Sequence, residues 1–152
     1  MDGGDLETNY TSKLETVTEG EWAGWSWYPS GDPFEDLAGP FYFRERDGRP
    51  VCAFRAERKH MNGHGAMHGG CLMTFADYAI YCIATEHLQE SGSVTAQMSC
   101  EFIDAAFEGD IVEATGEVIR AGASMIFMRG LVETAGRPLL SYSAILKKVR
   151  RR

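Results

Sequence analysis

The sequence contains no apolar run near the roughly 18 residues that a membrane-spanning helix needs, and no G-x-S-x-G elbow that would expose a nucleophilic serine. Its first residues, Met1-Asp2-Gly3-Gly4-Asp5, are polar and acidic, so no secretory leader is expected and a cytoplasmic location is. Only four cysteines occur, Cys52, Cys71, Cys82 and Cys100, widely spaced within apolar stretches and forming no C-x-x-C pair. That spacing excludes a disulfide framework and reads instead as small buried hydrophobes in a reducing compartment. Positive charge is also scarce, at 15 basic against 22 acidic residues, a net of -7 that argues against nucleic-acid binding. Much of that positive charge lies at one end: Lys147, Lys148, Arg150, Arg151 and Arg152 leave -12 on the remainder. The basic end reads as a solvated tail, or as side chains placed to meet ligand phosphates.

A chain of 152 residues is the size of one domain. Residues 1–32 read as an N-terminal extension carrying Trp22, Trp25, Trp27 and Tyr28, an aromatic group expected to brace the core. Gly31-Asp32-Pro33-Phe34 reads as a turn into the main body, 33–152. There, Phe41 to Glu45 and Val51 to Glu57 read as strands about an Asp47-Gly48-Arg49-Pro50 turn. Cys71 to about His87 lacks Gly and Pro and is apolar nearly all round, which predicts a buried helix. In Val94 to Phe102, Val94, Ala96, Met98, Cys100 and Phe102 alternate with Thr95, Gln97, Ser99 and Glu101 in a period of two. Ile111 to Arg120, Ser124 to Thr134 and Leu139 to Lys148 continue as strands, separated by the turns Ala121-Gly122-Ala123 and Ala135-Gly136-Arg137-Pro138. Two strands, one long helix and four strands make an α+β fold. Its sheet must curl if it is to cover a helix that is apolar on most faces.

Chemistry concentrates where the helix begins. Gly69 and Gly70 fall at its N-terminus, where backbone N–H groups lack partners and the helix dipole is positive. Donors so placed can stabilise a carbonyl oxygen that is gaining charge, although a Gly-Gly pair can equally serve only to make a tight turn. Asp77 is the only carboxylate between residues 66 and 85, set in an apolar helix beside Phe75, Ala76, Ala79 and Ile80. A carboxylate in such a place is costly unless bonded; it is either a base or nucleophile, or a cap for neighbouring backbone.

Asn62, six residues before His68-Gly69-Gly70, with Asp77 nine residues after that histidine, resembles the hot-dog thioesterase superfamily, and within it the PaaI-like (phenylacetate-degradation) branch. The resemblance implies a curved antiparallel sheet wrapped around one long central helix, and hydrolysis of an acyl-CoA. It implies that the Gly69 N–H polarises the thioester carbonyl, that Asp77 activates water or attacks directly, and that Asn62 orients water or thioester. His68 would bond the carbonyl region or hold the loop, and Thr95 would orient water. The family also implies a homo-oligomer, a dimer or a dimer of dimers, with active sites between subunits. No cofactor, metal or membrane partner is implied. Tyr78, Tyr81 and Met73 on the helix can shape an aryl or medium-chain pocket, which leaves the acyl group open.

Four rival readings remain. One keeps the fold as a non-catalytic acyl-CoA-binding or regulatory module. Another places His60, His64 and His68 on one helix face as a metal site, but Gly63, Gly65 and Gly69 argue against a helix there. A dehydratase would want a histidine near Asp77 on the helix, where Cys82 stands. Cys71 lies where a helix dipole lowers a thiol pKa, yet its apolar neighbours favour a core role.

Overall fold

The computed structural model describes residues 13–88 and 91–149. Residues 1–5, on which the absence of a leader was argued, and residues 150–152 of the basic end lie outside them. Among the described residues no helix is long and apolar enough to cross a membrane. Strands β1 (Glu15–Thr16), β2 (Ser26–Trp27), β3 (Tyr42–Arg46), β4 (Arg49–Arg55), β5 (Gly92–Phe102), β6 (Ile111–Ala121), β7 (Met125–Thr134) and β8 (Arg137–Val149) form one antiparallel sheet in the order β1-β2-β3-β4-β6-β7-β8-β5. Helix α2 (Gly69–Leu88) lies against β4, β5, β6, β7 and β8, so the sheet wraps around it as expected. Leu72, Phe75, Ala76, Ala79, Ile80, Ile83 and Ala84 of α2 pack on Cys52, Phe54, Val112, Ile126, Met128, Leu140 and Leu146 of the sheet.

Both tight hairpins are shorter than the sequence predicts. Asp47 and Gly48 take φ of 54° and 74°, and Ala135 and Gly136 take 47° and 75°. Two consecutive left-handed residues make a two-residue turn whose twist matches the flanking strands. Arg46 therefore pairs with Arg49, and Thr134 with Arg137. Pro50 and Pro138, expected in the turns, lie inside β4 and β8 instead; Pro138 sits beside the register shift between Val132 and Glu133, the kind of irregularity where a strand tolerates proline. Gly31-Asp32-Pro33-Phe34 is likewise no simple turn. Asp32 Oδ1 accepts from the N–H groups of Phe34 at 2.9 Å and Glu35 at 3.1 Å, and Pro33 follows it at the first helical position of a short helix, α1 (Pro33–Ala38).

The tryptophan group braces β3 and β4 from the side away from α2. Trp22 stacks on Tyr42 at 4.6 Å and meets Trp25 edge-on at 5.3 Å, while Arg44 lies 4.4 Å over the Trp25 ring. Val51 and Ala53 are buried against this group, whereas Cys52 and Phe54 face α2. Strand β4 is thus covered on both faces, which explains its unbroken apolar run.

Gly116, Gly130 and Tyr142 form one row across β6, β7 and β8. The Tyr142 ring lies over the two glycines, 2% exposed, and its hydroxyl donates to the Thr115 carbonyl at 3.0 Å. A methyl group at Gly130 would overlap the Thr115 carbonyl and the Tyr142 hydroxyl. Glycine is required there by close approach, not by backbone conformation. Gly130→Ala should therefore destabilise the protein by about 3 kcal/mol, read as a lowered urea midpoint; an unchanged midpoint would mean that the sheet opens there without strain.

Candidate active site

The loop before α2 is built by its own hydrogen bonds. Asn62 Oδ1 accepts from the N–H groups of His64 at 2.8 Å and Ala66 at 3.3 Å, and the Asn62 N–H donates to the Ala66 carbonyl. Gly65 makes the reversal with φ of 82°. The segment is pinned below by the Met67 N–H to the Ala106 carbonyl at 2.8 Å. His68 stands immediately before the helix, and its Nδ1 accepts from the Gly70 N–H at 2.9 Å. The imidazole thus does the work of a capping side chain and occupies one orphan donor. The Gly69 N–H has no acceptor among the described residues and remains available at the positive end of a 20-residue helix. A Cβ at Gly69 would lie 2.9 Å from the Phe102 ring, so the absent side chain keeps that approach open.

Asp77 is half-buried rather than enclosed. The helix is not covered all round: Gly70 and Met73 are exposed, and Thr74, Asp77 and Tyr81 are half-buried on the side that the sheet leaves open. Strand β5 supplies the partner. Thr95 Oγ1 donates to Asp77 Oδ1 at 2.6 Å, and Tyr81 Oη lies 3.4 Å from the same threonine oxygen. Strict alternation in β5 would put Val94 on the side of Met98 and Cys100 and Thr95 on the other, and here the structure departs from it. The register against β8 shifts between Thr95 and Gln97, leaving Ala96 unpaired. Met98 and Cys100 pack on the core, but beyond the bulge the alternation inverts: Thr95 turns to the helix and Val94 is 48% exposed. A β-bulge re-aims the side chains that follow it.

The remaining candidates separate from this pair. His60 ends a 3-10 turn (Arg58–His60) and is 4% exposed; its Nδ1 accepts from the Glu57 N–H and its Nε2 bonds the Ala38 carbonyl at 2.7 Å. Burial holds its pKa below the usual histidine value. His64 is exposed in the loop turn and His68 caps α2, so the three imidazoles share no helix face. Among the described residues no three His, Cys, Asp or Glu side chains converge on a metal-sized site. Burial pushes the Cys71 thiol up to about 11, the opposite of an activated nucleophile.

A cavity of about 730 Å³ opens between α1, β3 and α2, lined by Tyr28, Glu35, Phe43, Tyr78, Tyr81 and Cys82 among others. Tyr78 and Tyr81, expected as pocket residues, line it; Met73 does not. A larger groove of about 870 Å³ contains none of the predicted site residues, and its Arg46 and Arg129 are already paired with Glu113 and Glu117. Glu35 escaped the sequence reading, although Asp32, Pro33 and Glu35 occupy the cap, first and third positions of a helix start. Phe102 over Gly69 and Tyr81 beside Thr95 were equally invisible, because each depends on where β5 lies beside α2.

Residues 64–141, just over half of the chain, match the model of the Thioesterase superfamily. Two solved structures share the fold. One is described as a hypothetical thioesterase protein of Streptococcus pneumoniae with coenzyme A, 22% identical, with a TM-score of 0.66 over 74% of this chain and 88% of that one. The other is PaaI of Escherichia coli, from its phenylacetic acid degradation operon, 20% identical, with a TM-score of 0.69 over 78% and 85%. A Caenorhabditis elegans protein named as an esterase is 25% identical over 77 residues, which make up 51% of this chain and 46% of that protein. The chain therefore spans about half the length of that relative. The architecture is the hot-dog fold, and the chain belongs to the thioesterase superfamily.

Burial, followed by the charges of Asp32, Asp77 and Asp36, raises the Glu35 carboxyl from 4.5 to about 7. The folded state therefore holds a proton that the unfolded chain has released between those values. That contribution to stability is complete below about 4.5 and lost as pH rises through about 7. Glu35→Gln should leave the melting temperature nearly unchanged at pH 4.5 and raise it by a few degrees at pH 8, measured by scanning calorimetry. An equal effect at both pH values would remove the buried acid from the account.

Proposed function

We propose that the chain is an acyl-CoA thioesterase whose acid–base residue is Asp77. The observation that carries this reading is the 2.6 Å bond from Thr95 to Asp77 on the open face of α2, in a chain of the thioesterase superfamily. With one carboxylate oxygen held by Thr95, the other is free to take a proton from water or to attack. Water adds to the thioester carbonyl carbon, the carbonyl oxygen takes up charge beside the Gly69 N–H, and the C–S bond then breaks. The thiolate of CoA leaves and recovers the proton, giving a free carboxylic acid and CoA thiol. Asn62 and His68 act first on the loop: Asn62 Oδ1 fixes its turn, and His68 caps α2 so that Gly69 alone offers a free donor.

Gly69 and Asp77 are separated by eight helical residues, about 12 Å along the axis. A single thioester carbon cannot lie within reaction distance of both. The reading therefore requires two copies of the chain, one supplying Gly69 and the other Asp77. Strand β5 offers the means, since it ends the sheet and presents Val94 and Phe102, 48% and 54% exposed, along an unpaired edge. The four free thiols fit a reducing, cytoplasmic setting.

Free-thiol release from phenylacetyl-, hydroxybenzoyl-, hexanoyl- and palmitoyl-CoA tests the activity. Asp77→Ala should lower kcat at least about 100-fold while circular dichroism and light scattering still report a folded oligomer of two or four times 16.8 kDa. Near-normal kcat in that variant would reject the mechanism. Tight binding of the esters without turnover in the wild type would mark a binding module. Thr95→Val should lower kcat about tenfold with little change in KM.

A further inference from the structure

The cavity between α1, β3 and α2 has a chemical character that thioester hydrolysis alone does not require. Residues Tyr78, Tyr81, Cys82, Thr85 and Leu88 recur at three- and four-residue intervals along α2 and form one wall. Tyr28 and Phe43, stacked at 5.6 Å, stand among the lining residues opposite. The wall begins beside the chemistry, because Tyr81 lies 3.4 Å from the Thr95 hydroxyl that bonds Asp77. Into this aromatic space α1 brings Glu35; among the described residues only its backbone N–H and carbonyl are hydrogen-bonded, to Asp32 and Gly39. Glu35 also lines an adjoining cavity of about 200 Å³ with Trp27, Tyr28 and Tyr78. The same carboxyl is the group whose proton is held up to about 7, with Asp77 among the charges it feels.

A volume of about 730 Å³ is that of a small-molecule pocket. Its charges decide which end of an acyl-CoA enters. Asp32, Glu35 and Glu45 line it against one cation, Arg44, which is engaged over the Trp25 ring. Phosphates are repelled by such a lining, so the acyl end is the part that fits. A half-buried carboxyl without a protein partner, ionised above about pH 7, gains from a ligand that offers it a donor and repels a second carboxylate.

We propose that this cavity is the acyl pocket and that Glu35 reads the far end of the acyl group, selecting chains that end in a hydrogen-bond donor such as a hydroxyl and rejecting those that end in a carboxylate. The proposal rests on the thioesterase reading above. Glu35 is thereby a specificity-determining residue contributed by the short helix that follows the N-terminal extension, and Tyr81 is the boundary between pocket and reacting centre.

Three esters of matched length test it: hexanoyl-CoA, 6-hydroxyhexanoyl-CoA and adipoyl-CoA, which differ only in ending as methyl, hydroxyl or carboxylate. Thiol release is measured at about pH 8, where Glu35 is ionised, for the full chain as wild type, Glu35→Gln and Glu35→Leu. In the wild type, kcat/KM should favour the hydroxylated ester over hexanoyl by about tenfold, mainly through KM, and disfavour adipoyl by at least that factor. Glu35→Leu should reduce the hydroxyl preference to less than about twofold. Glu35→Gln, which keeps an acceptor but no charge, should keep that preference and relieve the rejection of adipoyl. Each ratio is taken within one preparation, so partial loss of folded protein cancels, and Glu35→Gln serves if Glu35→Leu does not fold. Ratios identical in wild type and both variants would overturn the role of Glu35. No thiol release from any ester would overturn the thioesterase reading itself, and the proposal with it.

Discussion

A single sheet has to cover a 20-residue helix, and the rest of the molecule is arranged around that constraint. The apolar side of α2 is enclosed because β4, β6, β7, β8 and β5 curl past it, with Gly116 and Gly130 leaving room for the Tyr142 side chain. One sheet cannot close around the whole circumference. The strip left open carries Gly70, Met73, Thr74, Asp77 and Tyr81, with Gly69 and its free N–H at the helix start. The groups proposed above for the chemistry therefore sit where coverage stops, and the proposed pairing with a second copy would complement the same shortfall.

Much of this was legible in the residues. The helix shows in the run from Cys71 to His87 because nothing in it breaks a helix and its apolar content exceeds what one exposed face allows. The strands from Ile111 onward show in their alternation. The loop motif from Asn62 to Gly70 and the isolated Asp77 identify the family through spacing, and the Thioesterase superfamily match covers the stretch that follows His64. Where the reading slipped, the cause was local. Prolines at 50 and 138 look like turn residues, but two left-handed residues already complete each turn and leave the prolines to the strands. Asp32 looks like part of a turn because a cap and a turn use the same residue types.

Other features were not legible because they depend on tertiary register. Nothing in Val94 to Phe102 announces a bulge; the alternation of residue types is unbroken there, and only the pairing with β8 reveals the shift at Ala96. Placing Glu35 in the cavity needs the path of α1 across α2. The tryptophans, expected as a brace, do brace β3 and β4, but the burial of Val51 and Ala53 on the face away from α2 is a consequence of that packing and not a signal in advance of it.

The bulge at Ala96 ties the site to a count of residues as well as to their kinds. In unbroken alternation Thr95, three positions from Met98, would face the other side of the strand; the extra residue at Ala96 brings both to the helix side. The same letters paired without the bulge would exchange Thr95 for Val94 against Asp77, whereas loss of Ala96 would restore regular pairing and leave Thr95 in place. Two relatives can thus differ by one position in spacing and still present the same face to the helix. For members of this superfamily, the pairing along β5 is a character to compare alongside identity.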